Sequence, residues 1–332
     1  MKDKRIVCIG GGTGSLVVLS GLKEYTNPSA IVSMADSGGS AKKERDEWGL
    51  LPVSDVRKAL LALAEVDDER SRVLRELFNY RFANGVGLSG MTFGNLLLVA
   101  LTNVLNSQSD AIQEASRLLN IKGDIYPVTY EQTNLVVTYS DGTEIVGEHV
   151  LDQFLERYPE KENVRVENFY LLPSAEANPR ALEVIESADL IVFPPGDLYG
   201  SILANLAVGG IPEAVCRSGA KKIYIMNLVT KFGQTNSFKA SGHVMELEEC
   251  LGCSLDYILV NDAPMPKGVL ERYREEKSFP VVDNLGEDRR VIRGDFLAEE
   301  LPRKQEGDKL KRSFVRHDPA KLAKTLSDLG SS

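Results

Sequence analysis

The sequence predicts an α/β protein, a doubly wound and mainly parallel sheet with a small antiparallel lobe inserted into it. Three observations carry this. Short apolar runs near residues 5, 30, 190, 222 and 256 have the profile of parallel strands covered on both faces. Segments with apolar residues at three- and four-residue spacing lie between them. Loops rich in glycine and small polar residues follow the strands, where open parallel sheets bind ligands.

In chain order, RIVCIG (5–10) reads as a buried strand, SLVVLSGLKEY as a helix and AIVSMAD (30–36) as a second strand. The stretch from Ser54 to Phe82 predicts two helices, with Ser54 as a cap. Thr92 to Val104 is nearly apolar all round and is expected to be a buried helix. From Asp124 to Val150, IYPVT and NLVVTYSDGTEIVGEH suggest strands and a hairpin around the Asp141-Gly142 dipeptide. With VRVENFYLL after them, residues 124–172 are the expected antiparallel lobe. Alternation then resumes: helix ANPRALEVIESA, strand DLIVFP, helix SILANLAVGGIPEAV, strand KKIYIMNLV, helix HVMELEECL, strand DYILVND. From about residue 284 the chain is highly charged, and 284–332 is expected to be a helical extension. Its last helix has Asp318 as N-cap and Pro319 in the first turn. Residues 1–332 are thus expected to form a single domain.

The 332 residues are 43% hydrophobic and 26% charged, a composition that supports a large core. A formal net charge of −9 argues against nucleic acid as a partner, since duplex binders present a basic face. The apolar run in MKDKRIVCIGGGTG is too short for a secretory leader. No stretch approaches the roughly 18 apolar residues of a membrane helix, and a cytoplasmic protein is expected. Four cysteines are too few for a disulfide framework and point to a reducing compartment. Cys250 and Cys253 form a lone CxxC without a second ligand pair, so no zinc site is read there.

The loops after the strands share one edge and are read together. Gly10-Gly11-Gly12-Thr13-Gly14 lets backbone N–H groups approach an anion beside a helix N-terminus, or merely makes a tight turn. Against the dinucleotide pattern GxGxxG, Gly10 and Gly12 fit, but Ser15 takes the third glycine position. Asp36-Ser37-Gly38-Gly39-Ser40, followed by Lys42, Lys43 and Arg45, reads as a second anion loop or as a carboxylate beside a phosphate. Asp197, in PPGDLYGS, either caps the following helix or pairs with Asp36 to hold a divalent cation such as Mg2+. Thr92 and Asn95 open the buried helix, and NLVTKFGQT (227–235) offers groups suited to a base or a sugar. Lys231 is either a phosphate partner or a solvated loop residue. An NAD-dependent dehydrogenase accounts for GGGTG and Asp36 but leaves the other loops without a role.

Taken together, GGGTG, MADSGGS, LPVSDVRKAL, FNYRF, GNLLLVAL, PPGDLYGSILANL, MNLVTKFGQTNSF and HDPAKLA resemble the CofD-like family. This comprises the 2-phospho-L-lactate transferases and the bacterial gluconeogenesis factors, the YvcK-like proteins. FNYRF and NLVTKFGQT are closer to the gluconeogenesis-factor branch. The resemblance implies a Rossmann-like core whose loops hold a nucleoside diphosphate. In the transferase branch a phospholactyl group moves to an alcohol with a divalent metal present. In the other branch the ligand is a UDP-sugar such as UDP-N-acetylglucosamine, in proteins of carbon metabolism and of cell-wall and cell-shape control. Carried onto this chain, the ligand-binding residues are Gly11, Gly12, Thr13, Gly14, Asp36, Gly38, Gly39 and Ser40. Asn95, Gly196, Asp197, Tyr199 and Ser201 complete the pocket, with Asn227 and Thr235 near the nucleoside or sugar. Asp36 and Asp197 are the metal candidates. Ser37 and Met91 stand where relatives often carry Asp and His, which favours binding over catalysis. A homodimer and a regulatory protein partner are expected on the same grounds.

Overall fold

The computed structural model describes residues 4–35, 50–85, 87–301 and 313–331. Seven parallel strands form the main sheet, in the order β10-β9-β8-β7-β1-β2-β3. They are β1 (Ile6–Gly10), β2 (Ser29–Val32), β3 (Asp124–Pro127), β7 (Leu190–Phe193), β8 (Lys221–Ile225), β9 (Tyr257–Asn261) and β10 (Val291–Gly294). Every residue of β1 and β7 is buried, as expected for central strands covered on both faces. Cys8 sits at their register, opposite Ala30 on one side and Val192 on the other.

Helix α1 (Gly12–Leu22) follows β1, and α2 (Ser54–Leu63) and α3 (Glu69–Asn79) follow β2. Then come α4 (Phe93–Leu105) and α5 (Gln108–Leu118). Thr92 caps α4 by accepting from the Asn95 N–H at 3.4 Å. The second sheet is antiparallel, in the order β5-β4-β6, with β4 (Asn134–Tyr139), β5 (Glu144–Val146) and β6 (Val166–Leu172). Between β5 and β6 lie two short helices, α6 (Glu148–Asp152) and α7 (Phe154–Arg157). The rest are α8 (Pro179–Glu186), a π-helical turn Leu198–Leu203 running into Ala204–Leu206, α9 (Ile211–Arg217), α10 (Ala240–Leu251), α11 (Lys267–Glu275) and α12 (Pro319–Ser331). Asp318 Oδ1 accepts from the N–H groups of Ala320 and Lys321, both at 2.9 Å, which is the predicted cap of the last helix. Among the described residues no helix is long and apolar enough to cross a membrane.

Several expectations need correction. The strand at Asp124 pairs in parallel with β2, so the antiparallel sheet begins only at Asn134. A four-residue strand carries too little pattern to reveal which sheet receives it. The charged segment after 284 contributes β10, a parallel edge strand on β9; half exposed, it lacks the apolar run of a central strand. Ser54 is the first helical residue and not the cap, because its hydroxyl accepts from the Asn95 side chain at 3.3 Å. SILANLAVGGIPEAV is two helical pieces: the first ends at Leu206, and Gly210, with φ of 92°, is the N-cap of α9. The helix at Thr92 is not buried all round, since Val104 is 74% exposed. Cys216 and Cys253 are joined by a disulfide that ties α9 to the end of α10, where free thiols were expected.

Candidate functional site

The chain passes from β1 to β2 and β3 on one side of the sheet, and from β7 to β10 on the other. The strand order therefore reverses between β1 and β7. Loops leaving these two strands diverge at their carboxyl ends and open a crevice, the usual ligand position in such sheets. A cavity of about 660 Å³ lies there, within the range of small-molecule sites.

Gly11, Gly12, Thr13 and Gly14 line it from the β1 side, and Gly196, Asp197 and Ser201 from the β7 side. Helix α1 starts at Gly12, and its N-cap Gly11 provides no side-chain cap, so its positive end is available to an anion. Gly12 has φ of 69°, in the left-handed region. Gly14 serves packing instead: a Cβ there would lie 1.4 Å from the Pro195 carbonyl oxygen. Ser15 replaces the third fingerprint glycine because its hydroxyl donates to the Gly11 carbonyl at 3.0 Å, within the buried turn.

Asn95 and Asn227 also line the cavity, but their amides are engaged by the protein. Asn95 Oδ1 accepts from Arg57 Nε at 2.9 Å, holding a buried guanidinium that also donates to Asn79. Asn227 donates to the Gly196 carbonyl at 2.5 Å and accepts from the Gly196 N–H at 3.3 Å. It therefore fixes the β7 loop. Tyr199 and Thr235 do not line the cavity. Tyr199 is fully buried, with its ring edge-on to Phe169, and Thr235 Oγ1 accepts from the Lys231 N–H at 2.9 Å to shape its own loop. Asp36, Gly38, Gly39 and Ser40 lie outside the described residues, as do Lys42, Lys43 and Arg45.

Lys231 lines the cavity, and its ammonium is held between two carboxylates. Its ammonium donates to Asp152 Oδ1 at 2.6 Å and to Asp197 Oδ2. The three residues come from α6, the β7 loop and the β8 loop, so this cluster latches the lobe to the main sheet. Burial acts to lower the Lys231 ammonium, but the two carboxylates outweigh it and push the group above its ordinary value. Burial and the neighbouring Asp152 raise the Asp197 carboxyl, with Lys231 opposing them. For Asp152, burial is outweighed by Lys231, and the carboxyl is held below its ordinary value. This bears on the metal expectation. Asp197 is neutralised by an ammonium, and the described residues hold no group of three or more His, Cys, Asp or Glu side chains placed for a metal ion. The other metal candidate, Asp36, lies outside the described residues.

Residues that sequence reasoning did not single out complete the walls. Lys58, paired with Asp55 at 2.7 Å, and Arg57 belong to the LPVSDVRKAL stretch. Arg81 donates to the Gly90 carbonyl at 2.6 Å. Glu148, Asp152 and Glu156 face the cavity from α6 and α7. Arg316 and His317, in the segment leading to α12, close another side. Their signals were the charge pair inside a helix start and the HDPAKLA stretch, neither of which declares a cavity by itself.

A parallel sheet with a glycine turn at its switch point defines a doubly wound α/β protein, and the comparisons agree on that fold. Residues 6–297 match the family described as 2-phospho-L-lactate transferase CofD, and the chain belongs to that family. It is 35% identical over 332 residues to the gluconeogenesis factor of Bacillus subtilis, covering 98% of each chain. It is 36% identical over 328 residues to the gluconeogenesis factor of Listeria monocytogenes, covering 97% of this chain and 94% of that one. A crystal structure of a UPF0052 family member from Bacillus halodurans superposes with a TM-score of 0.86 at 34% identity, over 98% of this chain and 99% of that one.

Proposed function

We propose that this chain is a regulatory protein that binds a nucleoside diphosphate sugar of the UDP-N-acetylglucosamine type, acting in carbon metabolism and in cell-wall and cell-shape control. The observation that carries the reading is the cavity at the β1/β7 switch point, open to the uncapped start of α1. A diphosphate placed there meets the positive helix end with no net basic surface needed elsewhere. The carbon-metabolism element follows the naming of the relatives as gluconeogenesis factors. Binding is preferred to turnover because Asp197 and Asp152 are committed to Lys231, which leaves them poorly suited to act as a general base. A homodimer and a protein partner that receives the signal belong to the same proposal.

The second reading, transfer of a phospholactyl-type group from a nucleoside diphosphate carrier, is favoured by the family description. Calorimetric titration with UDP-N-acetylglucosamine, GDP and NADH, each with and without magnesium, separates the two. Selective UDP-sugar binding that ignores magnesium is expected. Guanine-selective, magnesium-dependent binding would replace this reading with transfer. Gly12→Asp is expected to abolish binding while the circular dichroism spectrum is retained, because Asp tolerates a left-handed backbone better than most residues and its charge opposes the phosphate. Binding of that variant at the original affinity would sink the assignment.

A further inference from the structure

We propose that the Asp152–Lys231–Asp197 cluster is the subsite for the group esterified to the second phosphate of the nucleotide, and that it admits a neutral, hydroxyl-bearing sugar while rejecting one that carries a carboxylate. The proposal rests on the nucleotide-sugar reading above and names which sugars the same cavity selects.

Ser201 links the cluster to the phosphate end. The residue is 5% exposed and lines the cavity. Its hydroxyl makes no hydrogen bond among the described residues, yet it is not sealed off. A Cβ on Gly12 would lie 3.4 Å from that oxygen, so the hydroxyl is aimed at the start of α1, where the phosphates are placed. Asp197 precedes Ser201 in the same turn, and the Ser201 N–H donates to the Asp197 carbonyl at 2.8 Å. One helical turn, roughly 5 Å, therefore carries the wall from the phosphate end to the cluster. Gly200, between the two, lets the lobe close in, since a Cβ there would lie 3.2 Å from Glu148 Cγ. A ligand that leaves the Gly12 turn along this wall meets the cluster with its next group.

The cluster is open to that group. Lys231 keeps 29% of its side-chain surface, Asp197 32% and Asp152 43%, and all three line the cavity. Each carboxylate gives one oxygen to the ammonium and keeps further acceptor positions, while the ammonium keeps one N–H. Sugar hydroxyls suit such a set, because each can donate to a carboxylate oxygen and accept from the ammonium.

Charge decides which sugars fit. Two carboxylates share one ammonium, so one negative charge is in excess. Lys58 also acts on Asp152, but it is paired with Asp55 at 2.7 Å. Including that pair adds one charge of each sign, and the excess stays. A sugar carboxylate must either break a bond to Lys231 or lie beside an unmatched carboxylate. Even about 10 Å away, at an effective dielectric near 20, the repulsion weakens binding by about tenfold or more. A hydroxymethyl group in the same place meets no such opposition.

The test is calorimetry on the full chain with UDP-N-acetylglucosamine and UDP-N-acetylglucosaminuronic acid, which differ only in a hydroxymethyl group against a carboxylate. The neutral sugar is expected to bind about tenfold or more tightly. Asp152→Asn keeps the side-chain volume and an acceptor oxygen and removes the excess charge, and it is expected to bring the two affinities within about threefold of each other. Equal binding of the two by the unmodified protein, or tighter binding of the uronate, overturns the subsite while the nucleotide reading stands. Retention of the full preference in an Asp152→Asn variant with an unchanged circular dichroism spectrum overturns the role of the cluster. If neither ligand binds, both this inference and the nucleotide-sugar reading fall. Comparing the two ligands on the unmodified protein needs no variant, so a folding defect cannot obscure it.

Discussion

Replacing Lys231 by Met removes one charge from a cluster of three while roughly keeping the length of the side chain. At the 2.6 Å separation from Asp152 and an effective dielectric near 20, a unit pair attracts by about 6 kcal/mol before any desolvation is counted. Most of this is offset by what the ions lose in leaving water, and truncating one partner of a fully buried pair costs roughly 3–5 kcal/mol. Here Lys231 keeps 29% of its side-chain surface, Asp197 32% and Asp152 43%. Solvent screening therefore reduces the expectation to about 2 kcal/mol. For a chain of 332 residues that is a fall in melting temperature of about 3 °C. The Lys231 group lies above its ordinary value of 10.5 in the folded protein. Its contribution is thus fully present below that value and is lost only as pH rises through the folded one, so calorimetric scans at pH 7 see the whole effect. Adding Asp152→Asn and Asp197→Asn to Lys231→Met removes the stranded carboxylates and should recover most of the loss. Equal melting of Lys231→Met and the unmodified protein, or no recovery in the triple variant, would refute the electrostatic latch.

Gly14→Ala places a Cβ on a carbonyl oxygen and should cost at least about 3 kcal/mol in urea denaturation, whereas Gly87→Ala, with nothing within 4 Å, should stay within about 0.5 kcal/mol; similar costs for the two would remove the packing role of Gly14. His317 titrates near 4 when folded, against an ordinary 6.5, so the unfolded chain takes up a proton first and stability falls as pH drops through that window, by up to about 3 kcal/mol. Denaturation curves at pH 7 and pH 4.5 should show a steeper loss for the unmodified protein than for His317→Phe, and parallel losses would contradict the buried neutral ring. Tyr273→Phe removes the acceptor for the Phe314 and Val315 N–H groups. Amide exchange at those two positions should accelerate by roughly fivefold for a loss of about 1 kcal/mol, and unchanged exchange would mean the hydroxyl does not hold the segment.

Much of the main sheet was legible in the sequence because its central strands must satisfy two apolar faces at once. Such strands read as continuous apolar runs, as IVCIG and LIVF do. The ends of the sheet were not legible. The run DIYP joins β2 instead of the hairpin beside it, and β10 emerges from a charged stretch, because edge strands need bury only one side and lose the pattern. Of the site, the glycine turn, the β7 loop and Asn95 were foreseeable, since loops after parallel strands share an edge whatever else the fold does.

Which of those residues touch a ligand cavity was not a sequence property. Tyr199 and Ser201 are two positions apart, yet one turns into the core against Phe169 and the other onto the cavity wall. Asn227 and Thr235 brace loops with groups that looked free in the sequence. Lys231 meets Asp152 across 79 residues of chain, and His317 reaches Met226 from a segment that only the docking of α12 brings near. The sequence alone determined the layered α/β class and the edge where chemistry gathers, because both follow from local periodicity and the direction of parallel strands. Only the tertiary structure decided which charges neutralise one another and which acceptor is left unpartnered, because those depend on distances between residues far apart in the chain.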